Sequence, residues 1–278
     1  MKICRFEDDG RIGVGIVEAD GSIMPADADD LATALRAGHH PSRANGATAL
    51  TGARMRAPIR NPGKIICAGV NYASHQKENP SAVLPSEPFF FSKLPSAVIG
   101  PDEDIVMPEL TTELDYEVEL AVVIGQRARN LSAAEALQAV FGYTIVNDVS
   151  ARDIQFRDNQ ITLGKGADTF CPMGPVIVTA DEITDPQSLV LSSYVNGERR
   201  QHESASGMLF SVAELLANLS RYITLEPGDV VTTGTPAGVG CFMQPPGLLH
   251  PGDLITLEIT GIGALNNPVT APAARDAG

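Results

Sequence analysis

The stretch Leu114-Asp115-Tyr116-Glu117-Val118-Glu119-Leu120-Ala121-Val122-Val123-Ile124-Gly125 decides the fold. As a strand it sends side chains alternately to two faces, so Asp115, Glu117 and Glu119 share one and Tyr116, Val118, Leu120 and Val122 the other. A lone Glu-x-Glu is ordinarily a solvent-facing edge, because acidic residues are mostly exposed. Here the strand, expected from Tyr116 to Ile124, runs on into Ala-Val-Val-Ile, which reads as buried on both faces. Carboxylates crowded at the mouth of a buried strand are costly unless a cation neutralises them. Hard oxygen ligands of this kind suit Mg²⁺, Mn²⁺ or Ca²⁺ rather than zinc.

A further acid lies on the next apolar strand, Gly142-Tyr143-Thr144-Ile145-Val146-Asn147-Asp148. Pairing beside the first strand would bring Asp148 to the same ion; read alone, it is a turn or helix-cap aspartate. Arg152 and Asp153, just beyond, read alone as a surface ion pair worth little. Upstream, Gly69-Val70-Asn71-Tyr72-Ala73-Ser74-His75-Gln76-Lys77-Glu78-Asn79-Pro80 would, as a short helical turn, set His75 and Glu78 on one side at i and i+3. The carboxylate would then orient an imidazole acting as a general base. The plain alternative is a solvated loop with an inert pair.

Outward from these segments, strand signals dominate beyond Pro62: Lys64 to Val70, Pro88 to Ser92, Gly142 to Val146, Val176 to Thr179, Leu189 to Val195, Asp229 to Thr233 and Asp253 to Ile259. Capping boxes at Ser132-Ala-Ala-Glu135 and Ser211-Val-Ala-Glu214 predict helices over 132 to 140 and 211 to 222. Leu225-Glu-Pro-Gly-Asp and Leu249-His-Pro-Gly-Asp repeat a turn device that opens a strand. The first 60 residues read as hairpin strands, Lys2 to Phe6 and Arg11 to Glu18, a helix from Leu31 to Ala37 and a connector from His39 to Arg60. The expectation is a β-rich α+β protein, with a small N-terminal domain and connector at 1–60 and a larger body at 61–278.

The chain has 278 residues, with 20 Lys+Arg against 34 Asp+Glu for a formal charge of −14, which argues against nucleic acid and anionic membrane as partners. Its four cysteines, Cys4, Cys67, Cys171 and Cys241, form no CxxC pair and suit reduced thiols in a cytoplasm. No apolar signal core develops before Glu7-Asp8-Asp9-Gly10, and no run approaches a bilayer span. Gly164-Lys165-Gly166 and Gly234 to Gly240 fit neither a Walker loop nor a dinucleotide fingerprint. There is no GxSxG elbow, and His202-Glu203 lacks the second zincin histidine.

Taken together and in order, Asn71-Tyr72-Ala73-Ser74-His75, Pro88-Phe-Phe-Phe91-Ser92-Lys93, Asp115-Tyr-Glu-Val-Glu-Leu120, Asn147-Asp148-Val-Ser-Ala-Arg-Asp153, Gly164-Lys165, Asp168-Thr-Phe-Cys-Pro172-Met-Gly-Pro175 and Thr233-Gly-Thr-Pro-Ala-Gly-Val-Gly240 closely resemble the fumarylacetoacetate hydrolase family. The resemblance runs from about Lys64 to Asn267. It implies a mixed β-sandwich or roll as catalytic domain behind a small N-terminal α+β domain, a cytoplasmic homodimer, and a small 2-oxo acid as substrate. It implies Mg²⁺ or Mn²⁺, with Ca²⁺ as a substitute, on Glu117, Glu119 and Asp148, and a supporting role for Asp115. By the same resemblance His75 and Glu78 activate water, Lys165 is the active-site lysine, and Arg152, Thr235, Lys93 and Tyr72 contact substrate.

The activity so implied is hydrolysis of a C–C bond in a 2,4-dioxo acid, of the acylpyruvate type, to a carboxylic acid and pyruvate via a metal-bound enolate. Oxaloacetate decarboxylation, 2-oxo-diacid isomerisation or decarboxylation, and dehydration of a 2-keto-3-deoxy sugar acid would use the same site. Outside catalysis, the carboxylates would hold Ca²⁺ structurally; His75, Glu78 and Lys165 argue against that, since a structural site needs neither base nor cation beside its ion. Two departures bear on the pocket. Gln160-Ile161-Thr162-Leu163 stands where relatives often carry a tryptophan, a residue this chain lacks entirely, and Gly207 stands where an aspartate is common.

Overall fold

A computed structural model describes residues 1–78, 85–157 and 160–273; Asn79 and Pro80 of the histidine segment lie outside them. The strand Val118–Ile124 forms as its residues require: Val118, Leu120, Val122 and Ile124 pack into one apolar cluster, while Ala121 and Val123 pack into a second on the opposite face. All seven residues of the strand are buried. Glu119 shares the face of Ala121 and Val123 and stands where that apolar face runs out. The carboxylates therefore enter a dry interior at one strand end.

This strand lies in an eleven-stranded sheet among the described residues. Its order is Ile23–Pro25, Arg11–Val17, Lys2–Asp8, Cys171–Thr179, Val140–Asn147, Val118–Ile124, Val230–Thr232, Ile65–Gly69 and Phe89–Lys93, with Arg54–Arg56 and Val98–Ile99 attached to its side. Most neighbours are antiparallel, but Val230–Thr232 runs parallel to Ile65–Gly69, so the sheet is mixed. The N-terminal strands join it directly, with Ile3 opposite Ile177. A five-stranded sheet of Glu198–Ser204, Val190–Val195, Leu254–Ile259, Gly263–Thr270 and Ile105–Val106 packs beside it. The protein is thus α+β and β-rich.

Several elements differ from expectation. The strand expected from Tyr116 begins at Val118, and Leu114–Asp115 is a separate short strand paired with Ser150–Ala151. The break arises because the Glu117 N–H donates to the Asn147 side chain at 3.0 Å instead of joining a ladder. The helix expected over 132–140 is an α-turn, Ala133–Ala136, followed by a 3₁₀ turn, Leu137–Ala139, because Val140 already enters a buried strand. The second capping box does open a full helix, Val212–Tyr222, whose Val212, Leu215, Leu216 and Leu219 are buried. Both Pro-Gly turns precede strands as expected, with Gly228 and Gly252 at φ of 84° and 102°, a region only glycine enters freely. Among the described residues no helix is long and apolar enough to cross a membrane.

Candidate active site

Antiparallel pairing sets Val118 opposite Asn147, and the Asp148 N–H donates to the Glu117 carbonyl at 3.0 Å. One register thereby delivers all the acids: ligand oxygens of Glu117, Glu119 and Asp148 lie within 4.8 Å of one another, each residue buried. Asp115 is not among them. Its carboxylate accepts from the Gly240 and Cys241 N–H groups at 2.7 and 3.0 Å and from Arg152 Nε at 2.9 Å. It thereby ties the arginine to the loop after Thr233-Gly-Thr-Pro.

Buried cations stand against the acids. Lys165 Nζ reaches Glu117 at 2.9 Å and Asp148 at 2.7 Å, Lys93 Nζ reaches Asp148 at 2.5 Å, and Arg152 Nη2 reaches Glu117 at 2.7 Å. Burial alone would raise the Glu117 carboxyl, but Lys165 and Arg152 hold it below the usual carboxylate range. Burial would lower the Lys165 ammonium, yet Asp148 and Glu117 push it up to about 12, so it stays protonated at neutral pH.

Glu119 is the exception. Its carboxylate accepts the Gly234 N–H at 3.1 Å and forms no ion pair among the described residues. Burial, then the charges of Asp148 and Glu117, push its carboxyl well above the usual range. An acid at this junction without a counter-charge is what a divalent cation would relieve, and the all-oxygen donor set suits Mg²⁺ or Mn²⁺.

The sign follows from that direction. Glu119 holds its proton in the folded chain where the unfolded chain has lost it, so the stability it contributes is complete below the ordinary carboxylate value and declines as pH rises. A cation competes with this proton and binds more tightly at higher pH. In thermal melts at fixed Mn²⁺, the gain in Tm should therefore grow from about pH 5.5 to about pH 8. A gain that stays flat across the series would count against Glu119 as a ligand.

A cavity of about 130 Å³ opens onto these groups, lined by Glu117, Glu119, Arg152, Lys165, Thr235 and His75 with an apolar wall of Phe89, Phe91, Phe156, Ile161 and Phe242. His75 and Glu78 lie on the helix Ala73–Glu78 and pair as the spacing predicts, Nδ1 to Oε2 at 3.1 Å. Glu78 also accepts the Gly238 N–H at 2.7 Å. Ile161, at the missing tryptophan's segment, does form part of the wall.

The four residues implied as substrate contacts divide. Arg152 lies on the wall and is 2% exposed, so it is a buried bridge between Asp115 and Glu117 rather than a surface ion pair. Thr235 also lines the wall, but its hydroxyl donates to the Val118 carbonyl at 2.9 Å and accepts from Gln201 Nε2 at 2.7 Å. Lys93 lies behind the acids, off the wall, donating to Asp148 and to the Val149 carbonyl at 3.1 Å. Tyr72 is fully buried and also off the wall. Asp153 accepts from the Thr111 hydroxyl and the Thr112 N–H, capping a loop.

Sequence reasoning missed Asn147 as the receiver of the Glu117 N–H and Gln201 as the knot joining Val118, Thr235 and the Pro236 carbonyl. Asn147 adjoins Asp148 and was within reach of the register argument. Gln201 sits in Glu198-Arg-Arg-Gln-His-Glu-Ser204, where nothing local marks it as buried.

The family model described as fumarylacetoacetate (FAA) hydrolase C-terminal matches residues 64–270, and one described as Rv2993c-like, N-terminal, matches residues 1–55. A mitochondrial oxaloacetate tautomerase of Xenopus laevis is 47% identical over 217 residues, which cover 77% of this chain and 68% of that protein. An oxaloacetate tautomerase of Bacillus subtilis (strain 168) is 49% identical over 224 residues, covering 79% of this chain and 74% of that one. The solved structure of a fumarylacetoacetate hydrolase from psychrophilic Exiguobacterium antarcticum superposes with a TM-score of 0.89 at 44% identity, over 98% of this chain and 100% of that one.

Proposed function

The chain belongs to the fumarylacetoacetate hydrolase family, and we propose that within it this enzyme interconverts the enol and keto forms of a short 2-oxo dicarboxylic acid such as oxaloacetate. The observation that carries this reading is the likeness to two oxaloacetate tautomerases at 47% and 49% identity, which favours enol–keto chemistry over the acylpyruvate hydrolysis expected first. In going from keto to enol, a C3–H bond breaks and its electron pair forms the C2–C3 double bond. The carbonyl pair moves onto the C2 oxygen, which takes up a proton. The reverse reaction restores both.

The side chains suit these demands. With Glu78 accepting the proton on His75 Nδ1, His75 Nε2 is left as the acceptor that takes and returns the C3 proton. Lys165, an ammonium on the cavity wall, donates toward the C2 oxygen as negative charge grows there. Arg152 and Lys93 hold Glu117 and Asp148 in place as charged ligands. When bound by Glu117, Glu119 and Asp148, Mg²⁺ or Mn²⁺ would supply Lewis-acid polarisation of the 2-oxo acid. The apolar wall keeps competing water from the carbanionic carbon.

Hydrolysis of a 2,4-dioxo acid is the second reading, and the intact His75–Glu78 pair favours it, since the same base would deprotonate water. The family resemblance supports a homodimer, and the four unpaired thiols suit the reducing cytoplasm.

The experiment is turnover of enol-oxaloacetate, followed by its ultraviolet absorbance, with Mg²⁺ or Mn²⁺ and an EDTA-treated control. Pyruvate release is followed in parallel from oxaloacetate, acetylpyruvate and fumarylpyruvate. Metal-dependent loss of enol without pyruvate is the expected result. Pyruvate from a dioxo acid would instead establish the hydrolase, and pyruvate from oxaloacetate alone a decarboxylase.

A further inference from the structure

We infer that Glu203 is a positioning residue of this active site, fixing the helix that carries His75 and Glu78. Glu203 lies on Glu198–Ser204, an edge strand of the five-stranded sheet. Residues 201 and 203 share one face of that strand; Gln201 reaches the loop 234–240 directly, and Glu203 reaches Ser74. Gln201 Nε2 donates to Thr235 Oγ1 and the Pro236 carbonyl, at 2.7 and 2.8 Å. Two residues on, the Glu203 carboxylate accepts from the Ser74 hydroxyl, and Ser74 Oγ in turn accepts the Ala237 N–H at 3.2 Å. The chain Glu203–Ser74–Ala237 pins the first turn of the helix to the loop.

At the other end of the helix, the Gly238 N–H donates to Glu78 Oε1 at 2.7 Å. The helix is thus held at Ser74 and Glu78, with His75 between the two anchors. It has only six residues and buries none of them fully, so packing does little to hold it. The latch depends on an empty space: a Cβ at Gly207 would overlap Glu203 Oε1, the oxygen beside the one that holds Ser74. The Glu203 carboxylate thus occupies the space that a side chain at position 207 would take.

This inference rests on His75 being the working base of the proposed reaction. If Glu203 sets the fraction of molecules with the helix docked, its loss makes substrate binding supply the docking, which raises KM and spares kcat. Glu203→Ala should raise KM about tenfold while kcat stays within about twofold, the scale of one charge-assisted hydrogen bond. Glu203→Gln, which keeps an acceptor, should restore most of the wild-type KM. Gly207→Ala should reproduce Glu203→Ala, and Ser74→Ala combined with Glu203→Ala should add little to either alone.

Hydrogen exchange of the peptides covering 71–78 and 234–240 reads the latch without turnover, and both should exchange faster in Glu203→Ala. Wild-type KM together with wild-type exchange in Glu203→Ala overturns the inference. So does a fall in kcat alone with exchange unchanged, which marks a merely structural role. If the wild type turns over no 2-oxo acid, the proposed function fails, while the exchange data still decide whether Glu203 holds the helix.

Discussion

Asp148→Ala should abolish stabilisation by Mn²⁺ and cut turnover by more than about a hundredfold, the range already seen when outer partners of a metal ligand are lost. Asp148 offers one oxygen to the carboxylate cluster while receiving Lys93 and Lys165. The Lys93 side chain is fully buried, and Asp148 is its only ion-pair partner among the described residues. Deleting the carboxylate therefore leaves a buried ammonium uncompensated, a class of change that costs about 3–5 kcal/mol. Asp148→Asn retains the shape and a hydrogen-bond acceptor with less loss of stability, so it separates the metal effect from the folding effect. Calorimetric titration with Mn²⁺, melting with and without EDTA, and turnover form the test. A folded Asp148→Asn protein with wild-type Mn²⁺ affinity would remove Asp148 from the ligand set.

His75→Ala should behave in the opposite way. The metal-dependent rise in Tm should survive, because His75 contributes no oxygen to the cluster and touches it only across the cavity. Turnover should fall by about 10²- to 10⁴-fold, the usual weight of a positioned general base, with little change in KM. The cost in stability should be small, since the ring is only partly buried and its partner Glu78 keeps the Gly238 N–H. Unchanged kcat in a metal-loaded His75→Ala enzyme would remove the base assignment for either reaction. The split is informative because Asp148 and His75 sit on different elements, a strand end and a short helix, so one loss does not disturb the other.

What the sequence revealed and concealed follows from the range of each signal. Glu117 and Glu119 were legible because two-residue alternation and the apolar run after them are local facts. Asp148 followed once the next strand was paired alongside, and His75 with Glu78 needed only helical spacing. Arg152 read as a surface ion pair because its partners, Asp115 and Glu117, lie more than thirty residues upstream. Lys93 was assigned to substrate for the same reason: nothing near it foretells Asp148, 55 residues away. The strand Glu198–Ser204 escaped notice because edge strands carry charge, and its run of polar residues erases the hydrophobic alternation. Glu203 was invisible as a helix anchor, since Ser74 is 129 residues distant.

The pairing of Lys2–Asp8 with Cys171–Thr179 carries a consequence for how the protein is made. The first strand leaves the ribosome early, but Ile3 finds its partner only when Ile177 has been synthesised. At translation speeds of about 5–20 residues per second, that interval is roughly 10 to 35 s. Arg54–Arg56 can cover Arg5, Phe6 and Glu7 early, but throughout that interval the end of the strand at Lys2 and Ile3 keeps unmet hydrogen bonds, open to intermolecular pairing. The sheet that houses the carboxylate cluster is therefore completed late, and its N-terminal part waits for its central strands until then.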